Sequence, residues 1–261
     1  MSKSKYLIIG NSTAAIAAVS GIRQVDPAGS ITLVAKEEHH TYSRPLITYL
    51  LGGKVDEEQM LYRPEDWYDK AGVNAMLGTE VTSVDPEAHT VETADGETLG
   101  YEKLLIAVGG TPIVPPNVAG TDADGVFTFT NWDDANAIKQ YIDKRGVKSA
   151  VVIGGGLIGL KSVEALLELG IDTTVVELAD RMLSATFDET ASQLAQKRLR
   201  EGGVEVRCET TTTELLSEDA NVVGAKLTDG DTVPADLVIF AIGVLPATGI
   251  VEDTAVETDR G

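Results

Sequence analysis

The residues with the clearest chemical meaning in this chain are three glycines at Gly-x-Gly-x-x-Gly spacing, Gly154, Gly156 and Gly159. They follow a short apolar run at residues 150–153 and open a helical pattern. In such a motif the first glycine permits a tight turn, and the second lets the backbone approach a pyrophosphate at the helix N-terminus. The third lets the helix pack closely on the strand. The motif therefore predicts a dinucleotide site, against the alternative of a turn that serves helix packing alone.

A carboxylate completes the predicted site. A second strand at residues 173–176 leads to Glu177, eighteen residues after Gly159. A carboxylate in that position accepts hydrogen bonds from both hydroxyls of an adenosine ribose. It would also repel a 2′-phosphate, so the residue predicts a preference for NADH over NADPH. Leu157 and Ile158, which follow the second motif glycine, belong to the same predicted site.

The strand, turn and helix that must position these residues occur twice in the chain. An apolar strand runs into Gly10, with Ser12 and Ala15 at the second and third motif positions. Later in each copy, residues 95–112 align without gaps on residues 229–246, and each stretch ends in an apolar strand that runs into glycine. The sequence therefore predicts an α/β fold with two nested Rossmann-like dinucleotide-binding domains. Three further helices are predicted, at residues 64–70, 131–144 and 188–201.

The composition argues against nucleic acid and membranes as binding partners. Forty-one acidic and twenty-one basic residues give a formal charge of −20, which would repel nucleic acid and anionic membrane surfaces. No apolar run reaches the roughly eighteen residues of a spanning helix. The N-terminus resembles a signal peptide, but Asn11 and Ser12 interrupt its apolar core, which favours the strand-turn-helix interpretation. A single cysteine, Cys208, excludes an intrachain disulfide, and the predicted location is cytoplasmic.

The remaining reactive side chains predict no site of their own. Cys208 alternates with Val204 and Val206 on one predicted strand face, so we interpret it as a small core residue. His39 and His40 are adjacent and cannot readily converge on one ion, so no metal site is predicted.

Several segments together resemble one protein family. They are the two nested units, residues 42–45 (Tyr-Ser-Arg-Pro), the Ala-Val-Gly and Ala-Ile-Gly strand ends, and residues 177–181 (Glu-Leu-Ala-Asp-Arg). Over essentially the whole chain they resemble the FAD- and NAD(P)H-dependent pyridine nucleotide-disulfide oxidoreductase superfamily, which is glutathione reductase-like in fold. Within the superfamily, the chain resembles the branch of NADH:rubredoxin reductases and the flavin-containing N-terminal part of nitrite reductase large subunits. The resemblance implies an FAD-binding domain at residues 1–113 plus 244–261 and an NADH-binding domain at residues 114–243.

The resemblance also implies which residues touch the cofactors. Besides the glycine motif and Glu177, the implied contacts are Gly10, Ser12, Thr13 and Ala14 at the FAD pyrophosphate, Arg44 and Pro45 beside the flavin, Val81 at the adenine, and Ala107, Gly109 and Gly243 at the strand ends. The acidic residue that usually ends the second strand of the FAD domain is Ala35 here, so Glu37 is the candidate for the ribose contact.

Two departures from the family bear on the chemistry. Redox cysteines are absent from residues 41–48, and the C-terminal interface domain of relatives, with the strand before it, is absent, so we expect an incomplete FAD domain. The resemblance aligns Lys161 with a position where relatives usually carry glutamate, and Tyr49 or its neighbour Thr48 with the lysine that pairs with it in many of them. Lys161 and Tyr49 are therefore the candidate catalytic residues, and the positive charge of Lys161 near the flavin would favour its anionic reduced form. The alternative is an exposed helix lysine.

The function implied by the resemblance is a flavin-dependent NADH oxidoreductase. A hydride would pass from NADH to FAD, and electrons would continue to a small carrier protein, an iron centre or oxygen. A longer form of the protein would be a homodimer. A non-catalytic NADH-sensing module is the alternative from a different class, and disulfide reduction would need cysteines from another chain.

Overall fold

The chain is built from alternating strands and helices, and a computed structural model describes its residues 3–259. The helices are α1 (Thr13–Val25), α2 (Ile47–Leu51), α3 (Trp67–Ala71), α4 (Trp132–Arg145), α5 (Leu157–Glu168) and α6 (Glu189–Glu201). The strands are β1 (Lys3–Ile9), β2 (Ile31–Ala35), β3 (Val73–Leu77), β4 (Val81–Asp85), β5 (Thr90–Thr93), β6 (Thr98–Ile106), β7 (Gly110–Pro112), β8 (Val126–Thr128), β9 (Ser149–Ile153), β10 (Asp172–Val176), β11 (Glu205–Arg207), β12 (Thr212–Glu218), β13 (Asn221–Leu227), β14 (Thr232–Pro234), β15 (Leu237–Phe240) and β16 (Val244–Pro246). None of the helices in this range combines the length and the apolarity needed to cross a bilayer.

These elements form two compact units. The first contains the described residues up to Ser43, Met60–Thr111 and those from Leu245 onward, and the second contains Arg44–Gln59 and Pro112–Val244. This division differs from the predicted domains at Arg44–Gln59, which the sequence places in the first domain. The reason is packing, because α2 lies against α4 and α5 and its Ile47, Leu50 and Leu51 side chains are buried.

A six-stranded sheet in the order β3-β2-β1-β6-β5-β4 forms the centre of the first unit. Its first four strands are parallel, and β5 and β4 complete an antiparallel meander. Side chains of β1 alternate between two core clusters, so that Ile8 packs with Ile16 of α1 and Leu7 packs with Val91 and Tyr101. The predicted strand-turn-helix-strand at the N-terminus is confirmed.

A five-stranded parallel sheet in the order β11-β10-β9-β15-β8 forms the centre of the second unit. Helix α5 packs on β9 and β10, α4 packs on β8, and α6 packs on β11. The antiparallel sheet β12-β13-β14 supplies a further layer, in which Val222 and Leu227 pack with Val151 and Phe240 of the parallel sheet. The predicted α/β class with two Rossmann-type units is therefore confirmed.

The two units differ where the aligned stretches enter their last strand. In the first unit, β6 is a continuous strand of nine residues, whereas the second unit has two strands, β14 and β15, in the equivalent stretch. Pro234 stands where the first copy has Gly100, and a proline has no N–H to donate to a strand ladder. The meander of the second unit, β12-β13-β14, is a separate sheet.

The predicted helices are present with small changes at their ends. The helices predicted at residues 131–144 and 188–201 are α4 and α6, and the side chains of Asn131 and Asp188 cap them by accepting hydrogen bonds from backbone N–H groups. The helix predicted at residues 64–70 is shorter. It begins at Trp67, because Pro64 to Trp67 forms a turn, and it ends before Gly72, whose φ is +63°.

Candidate dinucleotide-binding sites

The turn between β9 and α5 leaves no room for a side chain at two of its glycines. Gly154 has φ +112°, and a Cβ on this residue would overlap the carbonyl oxygen of Ala241. A Cβ on Gly159 would overlap the carbonyl oxygen of Gly154. The Gly154 N–H donates to the carbonyl of Val176 at 2.8 Å, which ties the turn to the neighbouring strand β10. Both glycines are therefore required by the backbone itself.

Gly156 faces open space instead. It is the N-cap of α5, with φ −81° and ψ −171°, and no atom lies within 4 Å of the position that a Cβ would take. The first turn of α5 begins with Leu157 and Ile158 and contains no acidic residue. Because the first N–H groups of an α-helix have no partner within the helix, this end of α5 fits the pyrophosphate of a dinucleotide.

Glu177 lies at the carboxyl end of β10 with both carboxylate oxygens fixed. Oε2 accepts a hydrogen bond from the Gly155 N–H at 2.6 Å, and Oε1 accepts one from the Ala179 N–H at 2.8 Å. Each oxygen keeps acceptor capacity for a further donor. The structure therefore places the predicted ribose-binding carboxylate beside the glycine turn.

The loop that follows Glu177 folds back onto the turn. The Leu183 N–H donates to the carbonyl of Gly155 at 2.8 Å, and Met182 is fully buried. Arg181 donates through Nη1 to both carboxylate oxygens of Asp180, at 2.9 and 3.1 Å. The Arg181 Nε is buried and has no hydrogen-bond partner among the described residues. The sequence indicates Arg181 as the one cation close to Glu177, but it does not indicate that Arg181 pairs with Asp180.

The first unit repeats the turn between β1 and α1. Gly10 has φ +118°, and a Cβ there would overlap the carbonyl oxygen of Ala107. Ser12 is the extended N-cap of α1, and Thr13 and Ala14 form an exposed first turn with no acidic residue. The first backbone N–H groups of α1 have no partner within the helix, so this exposed helix N-terminus also fits a dinucleotide pyrophosphate.

A buried polar network that the sequence did not indicate lies next to this turn. The Tyr68 hydroxyl donates to Asn11 Oδ1 at 2.6 Å and accepts from the Thr41 N–H at 3.1 Å. Asn11 Nδ2 in turn donates to the carbonyl of His39 at 3.1 Å. Burial raises the pKa of Tyr68. The network fixes the loop at residues 39–41 against the second residue of the glycine turn, and its partners are too far apart in sequence to form a motif.

Glu37 and Val81 are the two residues predicted to contact the adenosine part of FAD, and one is hydrogen-bonded to a tyrosine while the other is buried in a strand. Glu37 follows β2 by two residues, and its Oε2 accepts a hydrogen bond from the Tyr42 hydroxyl at 2.5 Å. Val81 is the first residue of β4 and its side chain is buried. Ala35, the last residue of β2, is also buried, so Glu37 is the first carboxylate after that strand.

The strand ends predicted to contact cofactors carry glycines with positive φ. At the end of β6, Ala107 and Gly109 line a cavity of about 260 Å³ in the first unit, with Pro246 and Val251 on another side. Gly109 has φ +74° and open space at its Cβ position. In the second unit Gly243 has φ +124°, and its carbonyl accepts from the Ile113 N–H at 3.0 Å.

Arg44 and Pro45 lie in a 3₁₀ turn, Arg44–Leu46, of the second unit. Arg44 donates through Nη1 to the carbonyl of Thr130 at 3.1 Å, just before α4.

The predicted catalytic residues Tyr49 and Lys161 also lie together in this unit. Lys161 Nζ donates to the Tyr49 hydroxyl at 3.3 Å and lies 5.0 Å from the centroid of its ring. Lys161 Nζ also pairs with Glu164 at 2.6 Å, and this hydrogen bond raises the pKa of Lys161. The side chain of Lys161 is 47% exposed. The structure thus brings the two predicted residues together and adds Glu164, which the sequence did not indicate.

The cysteine and histidine residues form no cluster with acidic residues. No group of three or more metal-ligating side chains occurs among residues 3–259. Cys208 lies one residue past β11 rather than within it, is half-buried, and donates to Gln196 Oε1 at 3.2 Å. Burial raises the pKa of its thiol, which disfavours the nucleophilic thiolate.

Comparison with known proteins identifies the family. The sequence profile of the pyridine nucleotide-disulphide oxidoreductases matches residues 4–261. The epsilon subunit of NADH-dependent phenylglyoxylate dehydrogenase from Aromatoleum evansii is 33% identical over 98% of this chain and 60% of its own length. The NAD(P)H nitrite reductase of Bacillus subtilis is 33% identical over 100% of this chain and 32% of its own. The ferredoxin reductase for the CYP199A2 system of Rhodopseudomonas palustris superposes with a TM-score of 0.90 at 27% identity, over 98% of this chain and 63% of that one.

The chain therefore belongs to the pyridine nucleotide-disulphide oxidoreductase family, as the paired motifs predict. The predicted likeness to nitrite reductase is confirmed as well. The chain spans 60% of the length of the phenylglyoxylate dehydrogenase subunit and 32% of the nitrite reductase.

Proposed function

We propose that this chain binds FAD in its first unit and NADH in its second, and serves a flavin-dependent NADH oxidoreductase. The observation that carries the proposal is the turn of the second unit, where an open Gly156 and a fixed Glu177 lie at the positions expected for the pyrophosphate and the adenosine ribose of a dinucleotide. The first unit repeats this turn around Gly10. The names of the relatives, an NADH-dependent dehydrogenase subunit and a ferredoxin reductase, support the same reaction class.

The residues proposed to hold each cofactor follow from these positions. For NADH they are Gly154, Gly156, Leu157, Ile158, Gly159, Glu177 and Gly243. For FAD they are, in the first unit, Gly10, Ser12, Thr13, Ala14, Glu37, Val81, Ala107 and Gly109. Arg44 and Pro45, which the family resemblance implies beside the flavin, belong to the second unit. In both units the helix N-terminus offers N–H donors to the pyrophosphate, and the glycine that precedes it keeps the turn tight.

When bound, NADH supplies a hydride and FAD accepts it. The part proposed for the protein is electrostatic. Lys161 carries a positive charge, and its ion pair with Glu164 holds that charge in place. Lys161 also donates a hydrogen bond to the Tyr49 hydroxyl oxygen, so the Tyr49 hydroxyl proton points away from Lys161. A preoriented charge of this kind stabilises negative charge that develops near it.

The proposed electron acceptor is a small carrier protein, an iron centre or oxygen. Cys208 is the single cysteine of the sequence, so this chain has no dithiol to pass electrons through. The ferredoxin reductase similarity supports a carrier protein. A homodimer and a cytoplasmic location complete the proposal.

A visible spectrum of the FAD-reconstituted chain, recorded before and after anaerobic addition of NADH, tests the proposal. We expect the flavin that is bound to bleach on addition of NADH. Binding of NADH without any reduction of that flavin would instead support an NADH-sensing module. Equilibrium titrations with NADH and NADPH test the specificity, and we expect tighter binding of NADH because Glu177 repels a 2′-phosphate.

A further inference from the structure

We propose that Asp180 is a second determinant of cofactor specificity. It pairs with Arg181, the one cation in the loop next to Glu177, so Arg181 is not available to bind a 2′-phosphate. This inference rests on the proposed function, since it concerns the same NADH site. It assigns a role to a residue outside the glycine motif and its carboxylate.

The first step of the argument is that Glu177 cannot turn away from the ribose position. Its two oxygens accept from the N–H groups of Gly155 and Ala179, at 2.6 and 2.8 Å. Both donors belong to the backbone, and the carbonyl of Gly155 is itself held by the Leu183 N–H. A 2′-phosphate would therefore meet a carboxylate that is fixed in place rather than one that can swing aside.

The second step is that the positive charge nearby is already paired. Arg181 is the only cationic residue in residues 177–183. Its Nη1 donates to both oxygens of Asp180, whose side chain is 66% exposed. The loop returns to the glycine turn through the Leu183 hydrogen bond, so Arg181 is part of the same local structure as Glu177. Asp180 thus neutralises the cation and adds an exposed negative charge of its own.

The two carboxylates therefore act in different ways. Removal of the Glu177 charge ends the repulsion but leaves Arg181 paired with Asp180. Removal of the Asp180 charge releases Arg181 but leaves the fixed carboxylate of Glu177. Only the double change both removes the repulsion of the 2′-phosphate and leaves an unpaired guanidinium to attract it, so the two effects should be more than additive.

The experiment is a double-mutant cycle of Glu177→Gln and Asp180→Asn, with dissociation constants for NADH and NADPH measured by titration on the full chain. Both substitutions keep the size of the side chain. We expect Asp180→Asn alone to lower the ratio of the NADPH to the NADH dissociation constant by about twofold to fivefold, the range for one exposed charge pair. The double variant should lower this ratio by more than the product of the two single effects.

Two controls separate this role from a general loss of negative charge. Asp172→Asn removes an exposed carboxylate at the opposite end of β10 and should leave the ratio unchanged, because the strand is longer than the screening length of about 8 Å at physiological salt. Adding Arg181→Met to the double variant should abolish the gain in NADPH binding.

An unchanged ratio in Asp180→Asn, with NADH still bound, would overturn the inference and leave the proposed function standing. An additive cycle, or a gain that survives Arg181→Met, would also overturn it, since the released guanidinium would then play no part. Failure of the parent chain to bind either nucleotide would refute the proposed function itself, and the inference with it.

Discussion

Replacing Gly154 by alanine should destabilise the second unit, whereas the same change at Gly156 should leave its stability intact. Gly154 has φ +112°, and placing a residue with a side chain in such a region costs of order 1–3 kcal/mol. The new Cβ would also overlap the backbone carbonyl oxygen of Ala241, the residue after β15. This overlap adds a further cost of about 1–3 kcal/mol. We therefore expect a loss of about 3 kcal/mol in the free energy of unfolding. At Gly156, φ is −81° and the space is open, so the change should stay within about 0.5 kcal/mol.

The two tryptophans allow each unit to be followed separately. Trp132 lies in the second unit and Trp67 in the first, so urea unfolding of variants in a Trp67→Phe background reports on the second unit. NADH titration of the same proteins gives the complementary result: Gly156→Ala should weaken binding by about tenfold or more, which corresponds to ~1.4 kcal/mol. A Gly154→Ala protein as stable as its parent would refute the steric argument. Equal destabilisation by both substitutions would refute the distinction between a glycine required by the fold and one required by the ligand.

Three further predictions concern the first unit. Gly21→Ala should stabilise it by about 1 kcal/mol in urea unfolding followed by Trp67 fluorescence in a Trp132→Phe background, because Gly21 lies inside α1 and a Cβ there meets no atom within 4 Å. Arg23→Met should destabilise it by about 2–3 kcal/mol in the same assay, because the guanidinium donates to four backbone carbonyls. The hydrogen bond from Lys5 lowers the pKa of Asp26 from 3.8 to about 2, so Asp26 contributes stability that is present above pH 3.8 and is lost as the pH falls towards 2. Asp26→Asn should flatten the pH dependence of the unfolding midpoint in that window, and an unchanged slope would contradict this assignment.

The features that the sequence predicts well are those decided by a few consecutive residues. Gly10 and Gly154 follow apolar strands, and the conformation of each turn depends on local backbone geometry, so both turns could be located. The caps Asn131 and Asp188 are equally local, since each bonds to an N–H three residues along the chain. Glu177 could be placed because the helix and the parallel strand that follow the motif bring the chain back beside the glycine turn.

The features that the sequence does not predict depend on contacts between distant segments. Nothing within residues 44–59 indicates that they pack with the second unit, because that outcome is decided by the surfaces of α4 and α5. The Tyr68 hydroxyl meets Asn11 across 57 positions of the sequence, and no spacing rule links an asparagine and a tyrosine so far apart. The site is therefore predictable at its turns and unpredictable in the loops that support them.

The two copies of the turn show which motif positions the fold itself requires. The first position is glycine in both, and in both a Cβ would overlap the carbonyl at the end of a neighbouring strand, that of Ala107 for Gly10 and that of Ala241 for Gly154. The third position is glycine only in the second unit.

In the first unit, Ala15 fills that third position and is fully buried, so α1 accommodates a methyl group where α5 cannot. The third position therefore reports how closely a helix approaches the turn. The second position borders open space at Gly156 in the second unit. It follows that a degenerate copy of this motif should be judged by its first glycine, because backbone geometry alone fixes that residue. The other two positions vary with helix packing and with the ligand that the turn receives.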